Sequence, residues 1–323
     1  MRGQSPTSAI ETRPDLNGLA CVVLGGGGFL GMNICAALSA AGATVRGFGR
    51  RPHFISSMPA DGWFEAEFND EAALSAALKD ATHVIHLLGG SNPATHNSAP
   101  VEELSANVIP TLRMLEACRV EKVRRVIFLS SGGTVYGPDA PVPTPETAPT
   151  DPISAYGIGK LAVEKYLGLF HHLHGLDYRI LRVSNPFGPF QNPGRGQGFI
   201  AQAMKRVMGN HPIEIWGDGT VVRDFIYVSD VASAVVRSVA HAGERRVFNV
   251  GSGRGRTLTE VIESIADVVG HEPVVRMKPG RPSDIPANVL DIRLAQEHLL
   301  WRPDVAWMDG LQMTYDWLRS QSD

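Results

Sequence analysis

Short apolar segments alternate with amphipathic segments along most of the chain. The apolar segments are continuous, which is typical of parallel strands that are buried on both faces. The segments that we predict as strands are Ala20–Leu24, Thr44–Phe48, Thr82–Leu88, Arg125–Ser130, Tyr178–Val183 and Val247–Val250. Those that we predict as helices are Gly28–Ala41, Glu71–Lys79, Val101–Ala117, Ala155–His172, Phe199–Met208, Val231–Ala240 and Leu258–Val268. Because strands and helices alternate, the pattern predicts the α/β fold class, with a doubly wound parallel sheet and right-handed crossovers.

Residues 20–31 read ACVVLGGGGFLG, so a buried strand runs into a glycine turn and then into a helix. Gly25 permits the tight turn, Gly28 lets the backbone approach a pyrophosphate, and Gly31 lets the helix pack close to the sheet. The N-terminus of the helix then offers free N–H groups to phosphate oxygens. A glycine triplet in this context predicts a dinucleotide-binding Rossmann domain.

The second predicted strand leaves the choice of dinucleotide open. An Asp or Glu usually ends this strand and binds the adenosine ribose hydroxyls. Here Gly49 holds that place and is followed by Arg50 and Arg51. Arg50 can accept a 2′-phosphate, which favours NADP, or it can be a solvated surface residue, which is compatible with NAD.

The arrangement changes after residue 185, where a stretch rich in Gly, Pro and Asn begins. We predict a flexible arm at 1–16, a dinucleotide-binding Rossmann domain at 17–185 and a smaller α/β substrate-binding domain at 186–229 and 251–323. Residues 230–250, a helix followed by a strand, are expected to return to the first domain.

Composition and charge exclude several classes of protein. Lys and Arg number 30 against 33 Asp and Glu, so the net charge is −3, and we expect no binding to nucleic acid. Three cysteines without metal-ligand spacing predict neither a disulfide nor a metal site, and favour a reducing compartment. There is no apolar run of about 18 residues and no signal-peptide pattern, so we expect a cytoplasmic protein without membrane contact.

Tyr156 and Lys160 lie four residues apart in SAYGIGK, at the start of a predicted helix. Residues at this spacing share one helix face. A nearby ammonium group favours the ionised phenol, so the spacing predicts that the pKa of Tyr156 is lowered. A tyrosine in that state can act as a general base near neutral pH.

Together these motifs identify the chain, from about residue 19 onward, as resembling the extended short-chain dehydrogenases/reductases of the NAD-dependent epimerase/dehydratase family. The matching segments are GGGGFLG, HLLG from His86, Asn107 in SANVIPTLRMLEAC, SSGGTVYG from Ser130, YGIGK from Tyr156, RVSNPFGP from Arg182, GDGTVVRDFIYV from Gly217 and RPSD from Arg281.

The resemblance implies a role for individual residues. Tyr156 and Lys160 form the catalytic pair, and Thr134, or else Ser131, supplies a hydroxyl to the reacting sugar oxygen. The residues that it assigns to the cofactor are Gly25, Gly28, Phe29, Leu30, Gly31, Arg50, Glu67, Leu88, Asn107, Ser130, Tyr156 and Lys160. The residues that it assigns to the substrate are Asn185, Arg223, Arg281 and Asp284.

The chain departs from the family pattern at three places. Gly132 stands where the family usually has its catalytic Ser or Thr, which is why Thr134 or Ser131 must supply the hydroxyl. Gly133 and Thr134 replace the Asp-Glu pair that eliminates water in the dehydratases, so a dehydratase is disfavoured. Gly49 replaces the usual acidic residue of the NAD-binding members.

The function that the resemblance implies is that of a nucleotide-sugar epimerase. It would invert C4 of a UDP-hexose through a transient 4-keto intermediate, with hydride transfer to and from a bound NAD. One alternative is an NADP-dependent reductase of a 4-keto nucleotide sugar, and another is a non-catalytic dinucleotide-binding regulator. The resemblance also implies a homodimer that forms through the helices at 101–117 and 155–172.

Overall fold

The computed structural model describes residues 14–51, 54, 61–89, 97, 99–195, 198–280 and 285–321. The strands in these residues are β1 (Ala20–Leu24), β2 (Thr44–Gly49), β3 (Gly62–Glu65), β4 (His83–His86), β5 (Arg125–Ser131), β6 (Asp177–Val183), β7 (Asn185–Phe187), β8 (Ile213–Trp216), β9 (Val222–Tyr227), β10 (Val247–Val250), β11 (Gly255–Thr257), β12 (Val275–Lys278) and β13 (Ala287–Asn288). The helices are α1 (Phe29–Ala40), α2 (Glu71–Leu78), α3 (Pro100–Glu103), α4 (Ile109–Val120), α5 (Ala155–His174), α6 (Phe199–Met208), α7 (Val228–Ala240), α8 (Leu258–Val269), α9 (Arg293–His298) and α10 (Trp307–Ser320).

Seven parallel strands form the main sheet, in the order β10-β6-β5-β4-β1-β2-β3. Helices α1 and α7 pack on one face of this sheet, and α2, α4 and α5 pack on the other. The chain order reverses between β1 and β4, and ligands of such sheets bind in the crevice at the carboxyl ends of the strands around that point. The predicted fold class and all six predicted strands are therefore confirmed.

Helix α5 has a capping residue at each end. The hydroxyl of Ser154 accepts a hydrogen bond from the N–H of Gly157, and Gly175 ends the helix with φ +72°. A side-chain cap and a left-handed glycine are the usual ways to satisfy the free backbone groups at helix ends. The caps fix the start of the helix, where the predicted catalytic pair lies.

The prediction of a single helix at 101–117 was wrong in one respect. The structure has α3, then a π-helical turn at Leu104–Val108, and then α4. Pro110 lies at the start of α4, and a proline has no N–H to donate to the preceding helical turn. Short π-helical turns of this kind often occur at functional sites.

The elements after residue 185 form a smaller unit with its own apolar core. Strand β9 pairs with β7, β11 and β13, while β8 pairs with β12, and α6, α8 and α10 pack against these strands. Strand β10 instead returns to the main sheet beside β6, and α7 packs against α1. These pairings are the basis on which we propose the division into two domains. Most of these strands, and β3, were not predicted because they are short and only partly apolar.

Candidate active site

The glycine turn after β1 has the close backbone contacts that a phosphate-binding turn needs. Gly25 has φ +87°, which glycine adopts without strain. A methyl group on Gly31 would overlap the carbonyl oxygen of Gly25 and lie 2.5 Å from that of Gly26. Gly28 is the N-cap of α1 and brings no side chain to the end of the helix. The first N–H groups of α1 are therefore not capped by a side chain, and the turn fits the pyrophosphate of a dinucleotide.

The remaining cofactor residues of the prediction lie around this turn or beyond it. Phe29 and Leu30 begin α1, while Arg50 and Glu67 are exposed after β2 and β3. The side chain of Leu88 would meet a methyl group on Gly25 at 3.3 Å. The turn therefore lies beside the carboxyl end of β4.

Leu88 also lines a small cavity that contains Lys160. The other residues around this cavity are His86, Gly89, Glu103, Asn107, Thr111, Phe128, Gly159 and Val163. Lys160 Nζ donates to the carbonyl of Leu129 at 3.0 Å and lies 4.7 Å from the centre of the Phe128 ring. The structure thus places the predicted lysine next to the glycine turn, although the two are far apart in the sequence.

Tyr156 begins the same helix, and Lys160 Nζ lies 5.8 Å from the centre of its ring. The pKa of Tyr156 is raised to about 12, mainly by burial and then by the negative charge of Glu103, while hydrogen bonding with Ser131 opposes both. Burial lowers the pKa of Lys160 to about 8. The expectation of a lowered tyrosine pKa was wrong, because burial and the charge of Glu103 outweigh the hydrogen bonding that favours the phenolate.

Ser131, at the end of β5, supplies the hydroxyl that interacts with Tyr156. The hydroxyl of Thr134 is buried and makes no hydrogen bond within the described part of the chain. Ser130 lies on the opposite face of β5 and donates to Glu164 at 2.5 Å. Of the two hydroxyls predicted for the reaction, that of Ser131 is the one that the structure brings to Tyr156.

Glu164 is held in a buried ion pair one turn beyond Lys160. Arg182 on β6 donates to both of its carboxylate oxygens, the shortest distance being 2.6 Å from Nη2. Arg182 also lies 4.8 Å from the centre of the Tyr136 ring. These contacts join α5 to the sheet and so fix the position of Tyr156 and Lys160 relative to it.

His86 is a packed residue rather than a catalytic one. It lies between the rings of Phe68 and Phe128, and its Nε2 is 2.9 Å from the Thr111 hydroxyl. The pKa of His86 is lowered to about 3, mainly by burial and also by the charge of Lys160. A histidine in this state is neutral at physiological pH, and only 1% of its surface is exposed.

Two of the four predicted substrate residues are described. Asn185 on β7 donates to the backbone carbonyl of Asp224 at 2.9 Å. Arg223 on β9 donates to the carbonyls of Val222 and Ile285. Arg281 and Asp284 lie outside the described residues, although the contact of Arg223 with Ile285 places the following segment beside β9.

Two features of the site escaped the sequence analysis. Glu103 is a buried carboxylate in the wall of the cavity, and the Glu164–Arg182 ion pair lies beneath the catalytic helix. A charged residue at a predicted helix position is usually solvated, so the sequence offered no signal for either. Within the described residues, no group of His, Cys, Asp or Glu is arranged to hold a metal ion, and no helix is long and apolar enough to cross a membrane.

Known proteins resemble this chain along almost its whole length. The sequence pattern of the NAD dependent epimerase/dehydratase family matches residues 21–251. UDP-glucose 4-epimerase of Mycolicibacterium smegmatis is 33% identical over 93% of this chain and 99% of its own length. The crystal structure of UDP-glucose 4-epimerase of Thermotoga maritima with UDP-glucose has a TM-score of 0.88 at 33% identity, covering 94% of this chain and 100% of that one.

Two further relatives bear on the cofactor and on the reaction. The UDP-glucose 4-epimerase of Thermus thermophilus, solved in complex with NAD, has a TM-score of 0.85 at 32% identity over 93% of this chain and 99% of its own. The dTDP-4-dehydro-6-deoxyglucose reductase of Escherichia coli is 32% identical over 71% of this chain and 72% of its own length. The likeness to epimerases covers more of the chain than the likeness to this reductase.

Proposed function

The chain belongs to the NAD dependent epimerase/dehydratase family, and from that premise we propose that it epimerises C4 of a UDP-hexose with a bound NAD. The observation that carries this proposal is the grouping of Tyr156, Ser131 and Lys160 beside the glycine turn. The similarity to UDP-glucose 4-epimerases along almost the whole chain supports the same activity, as the sequence predicted.

The cofactor would lie on the glycine turn, with Gly25, Gly28 and the first turn of α1 against its pyrophosphate. When bound in its oxidised form, NAD supplies two-electron oxidation of the sugar carbon and a positive charge that favours the Tyr156 phenolate. Asn107 and Lys160 line the adjoining cavity and would contact the neighbouring part of the cofactor.

Tyr156 moves the proton in this proposal. Its phenolate oxygen takes the proton of the 4-hydroxyl group as C4 is oxidised, and returns it when the 4-keto sugar is reduced on the other face. The hydroxyl of Ser131 stabilises the phenolate by hydrogen bonding. Lys160 is held by the carbonyl of Leu129, so its charge stays close to the tyrosine through both steps.

We place the nucleotide part of the substrate against β7 and β9. Asn185, Arg223 and Arg281 would contact its phosphates, and Asp284 would lie near the nucleoside. The planar guanidinium groups of arginine suit the paired oxygens of a pyrophosphate.

The experiment that tests this function starts from the purified protein without added cofactor. Denaturation should release NAD in stoichiometric amount, identified by mass spectrometry. The intact protein should interconvert UDP-glucose and UDP-galactose with no cofactor supplied. A protein that is purified empty, binds NADPH more tightly than NADH and consumes it with a 4-keto nucleotide sugar would instead be a reductase, as the 32% identity to the Escherichia coli reductase allows.

We further propose that two copies associate through α3, α4 and α5. On these helices and the π-helical turn between α3 and α4, Val108, Leu115 and Leu167 face the core, but a separate set of apolar residues faces solvent. The members of this exposed set are Val101, Leu104, Ile109, Val120, Ile158, Tyr166, Leu169 and Leu173. Exposed apolar residues concentrated on neighbouring helices are typical of an interface.

Light scattering tests this association. The native chain should have twice its 34.8 kDa mass in solution. The double substitution Leu169→Glu and Leu173→Glu should give monomers, while Leu300→Glu, at an exposed apolar residue after α9, should leave the mass unchanged. A monomeric native protein would contradict the proposal.

The buried free thiols Cys21, Cys35 and Cys118 suit the reducing cytoplasm, where we place the protein.

A further inference from the structure

Glu103 is a buried charge to which neither the sequence motifs nor the proposed reaction assigns a role. It ends α3, immediately before the π-helical turn, and only 3% of its surface is exposed. Its neighbour Glu102 is exposed to solvent. A buried carboxylate costs free energy unless other groups compensate its charge, so its position needs a physical explanation.

The backbone of α5 leaves room for this carboxylate. A methyl group on Gly159 would lie 2.8 Å from Glu103 Oε1 and 3.3 Å from its Cγ. Asn107 Nδ2 donates to the same Oε1 at 2.8 Å across the π-helical turn. Glu103 thus contacts α5 at Gly159, between Tyr156 and Lys160. Gly159 lines the cavity and has no side chain.

The other titratable groups around this cavity are already accounted for. His86, on β4, is neutral because burial lowers its pKa to about 3. Glu164, further along α5, is paired with Arg182 of β6. The charge of Glu103 therefore acts mainly on Lys160 and Tyr156.

Both members of the catalytic pair respond to this charge. The pKa of Lys160 is lowered to about 8, because burial lowers it more than the charges of Glu103 and, to a smaller extent, Glu164 raise it. The pKa of Tyr156 is raised to about 12, first by burial and then by Glu103. A negative charge has this pair of effects because it favours the protonated form of every neighbouring acid.

We propose that Glu103 is a positioning residue of the catalytic pair, whose carboxylate fixes Asn107 in the cavity wall and whose negative charge keeps Lys160 protonated and opposes ionisation of Tyr156. As a result, Tyr156 would ionise only when a cation occupies the cofactor site. This inference rests on the proposed function only for its effect on the rate of epimerisation. The protonation of Lys160 can be measured without a substrate.

The first test follows the pH dependence of lysine acetylation in the purified protein with its cofactor. Peptide mass spectrometry gives the labelling midpoint of Lys160, with the exposed Lys165 of the same helix as an internal standard. Glu103→Gln should lower the Lys160 midpoint by about one pH unit, the usual size of an effect from a neighbouring buried charge. Glu102→Gln should leave it in place, and Glu103→Asp, which keeps the charge, should restore most of the difference.

An unchanged Lys160 midpoint in Glu103→Gln would overturn the proposal. If that variant does not fold, Gly159→Ala replaces it, because its methyl group would displace the same carboxylate and should cause a shift in the same direction.

The second test is the pH profile of epimerisation. Loss of the Glu103 charge favours the phenolate, so the acidic limb of kcat should move to lower pH in Glu103→Gln. A purely structural role would lower kcat equally at every pH and leave the limb in place, which would also overturn the proposal. A chain with no epimerase activity would refute the proposed function, while the acetylation result would still decide the role of Glu103.

Discussion

The glycine turn and the catalytic cavity lie side by side at the carboxyl ends of the sheet, but they are built in different ways. The turn consists of consecutive residues, and backbone atoms form its contacts. The cavity takes side chains from β4, α3, the π-helical turn, α4, β5 and α5. The turn should therefore be sensitive to added volume and the cavity to altered charge and hydrogen bonding, and substitutions in each can test this.

The largest effect is expected at the tyrosine. Tyr156→Phe removes the group that moves the proton but keeps the ring, so kcat for UDP-sugar epimerisation should fall by about 10²- to 10⁴-fold, the usual contribution of a general acid–base group. The cofactor should still be retained, because the glycine turn is untouched. Tyr166→Phe, at an exposed residue of the same helix, is the matched control and should be fully active. A variant that loses cofactor and activity together would refute the independence of the two regions.

The turn is tested by adding one methyl group. In Gly31→Ala the methyl would overlap backbone oxygens that cannot move without reshaping the turn, so bound NAD should be lost and the protein destabilised by about 1–3 kcal/mol. Gly168→Ala is the control, because its methyl would meet Tyr178 at an ordinary distance of 3.6 Å. Released nucleotide and urea unfolding measure the two effects. Retention of stoichiometric NAD by Gly31→Ala would contradict the contacts of the turn.

The same difference explains what could be predicted from the sequence. The turn was predicted residue by residue, because its three glycines, the strand before them and the helix after them are contiguous. Tyr156 and Lys160 were predicted because one helical turn joins them. Glu103 was not, since only the folded chain brings it to Gly159, and no local pattern distinguishes it from the solvated Glu102.

The raised pKa of Tyr156 could not be predicted either. Helical spacing shows that an ammonium group is near, but it does not show how much solvent the fold removes from both groups. Similarly, the family resemblance favoured Thr134 over Ser131, but an alignment of residues does not show which hydroxyl turns toward the tyrosine. The smaller unit after residue 185 was predicted only in outline, since its strands are short and partly exposed.

Protonation of His86 in the cavity should have an effect of intermediate size on the free energy of unfolding. His86 is neutral in the folded protein, with a pKa lowered to about 3, whereas the unfolded chain binds a proton near pH 6.5. The free energy of unfolding should therefore fall as the pH drops below about 6.5, with His86 contributing a loss of about 2 kcal/mol at pH 5. His86→Gln should show a shallower fall in urea unfolding between pH 7 and 5, whereas His172→Gln, at an exposed residue of α5, should not. Equal slopes in all three proteins would show that His86 accepts a proton without unfolding.

The smallest expected effect compares Ser131 and Thr134, the two residues predicted to supply a hydroxyl for the reaction. Ser131→Ala removes the hydrogen bonding that favours the phenolate, so kcat should fall by about tenfold, which corresponds to one hydrogen bond of about 1.4 kcal/mol. Thr134→Val removes a buried hydroxyl that has no partner in the described part of the chain, so it should lower kcat less and raise the free energy of unfolding. The two variants distinguish Ser131 from Thr134 as the residue that supplies the hydroxyl, because both substitutions leave the glycine turn intact. A larger loss of kcat in Thr134→Val would show that the substrate selects the hydroxyl that the sequence favoured, and that the cavity rearranges when it binds.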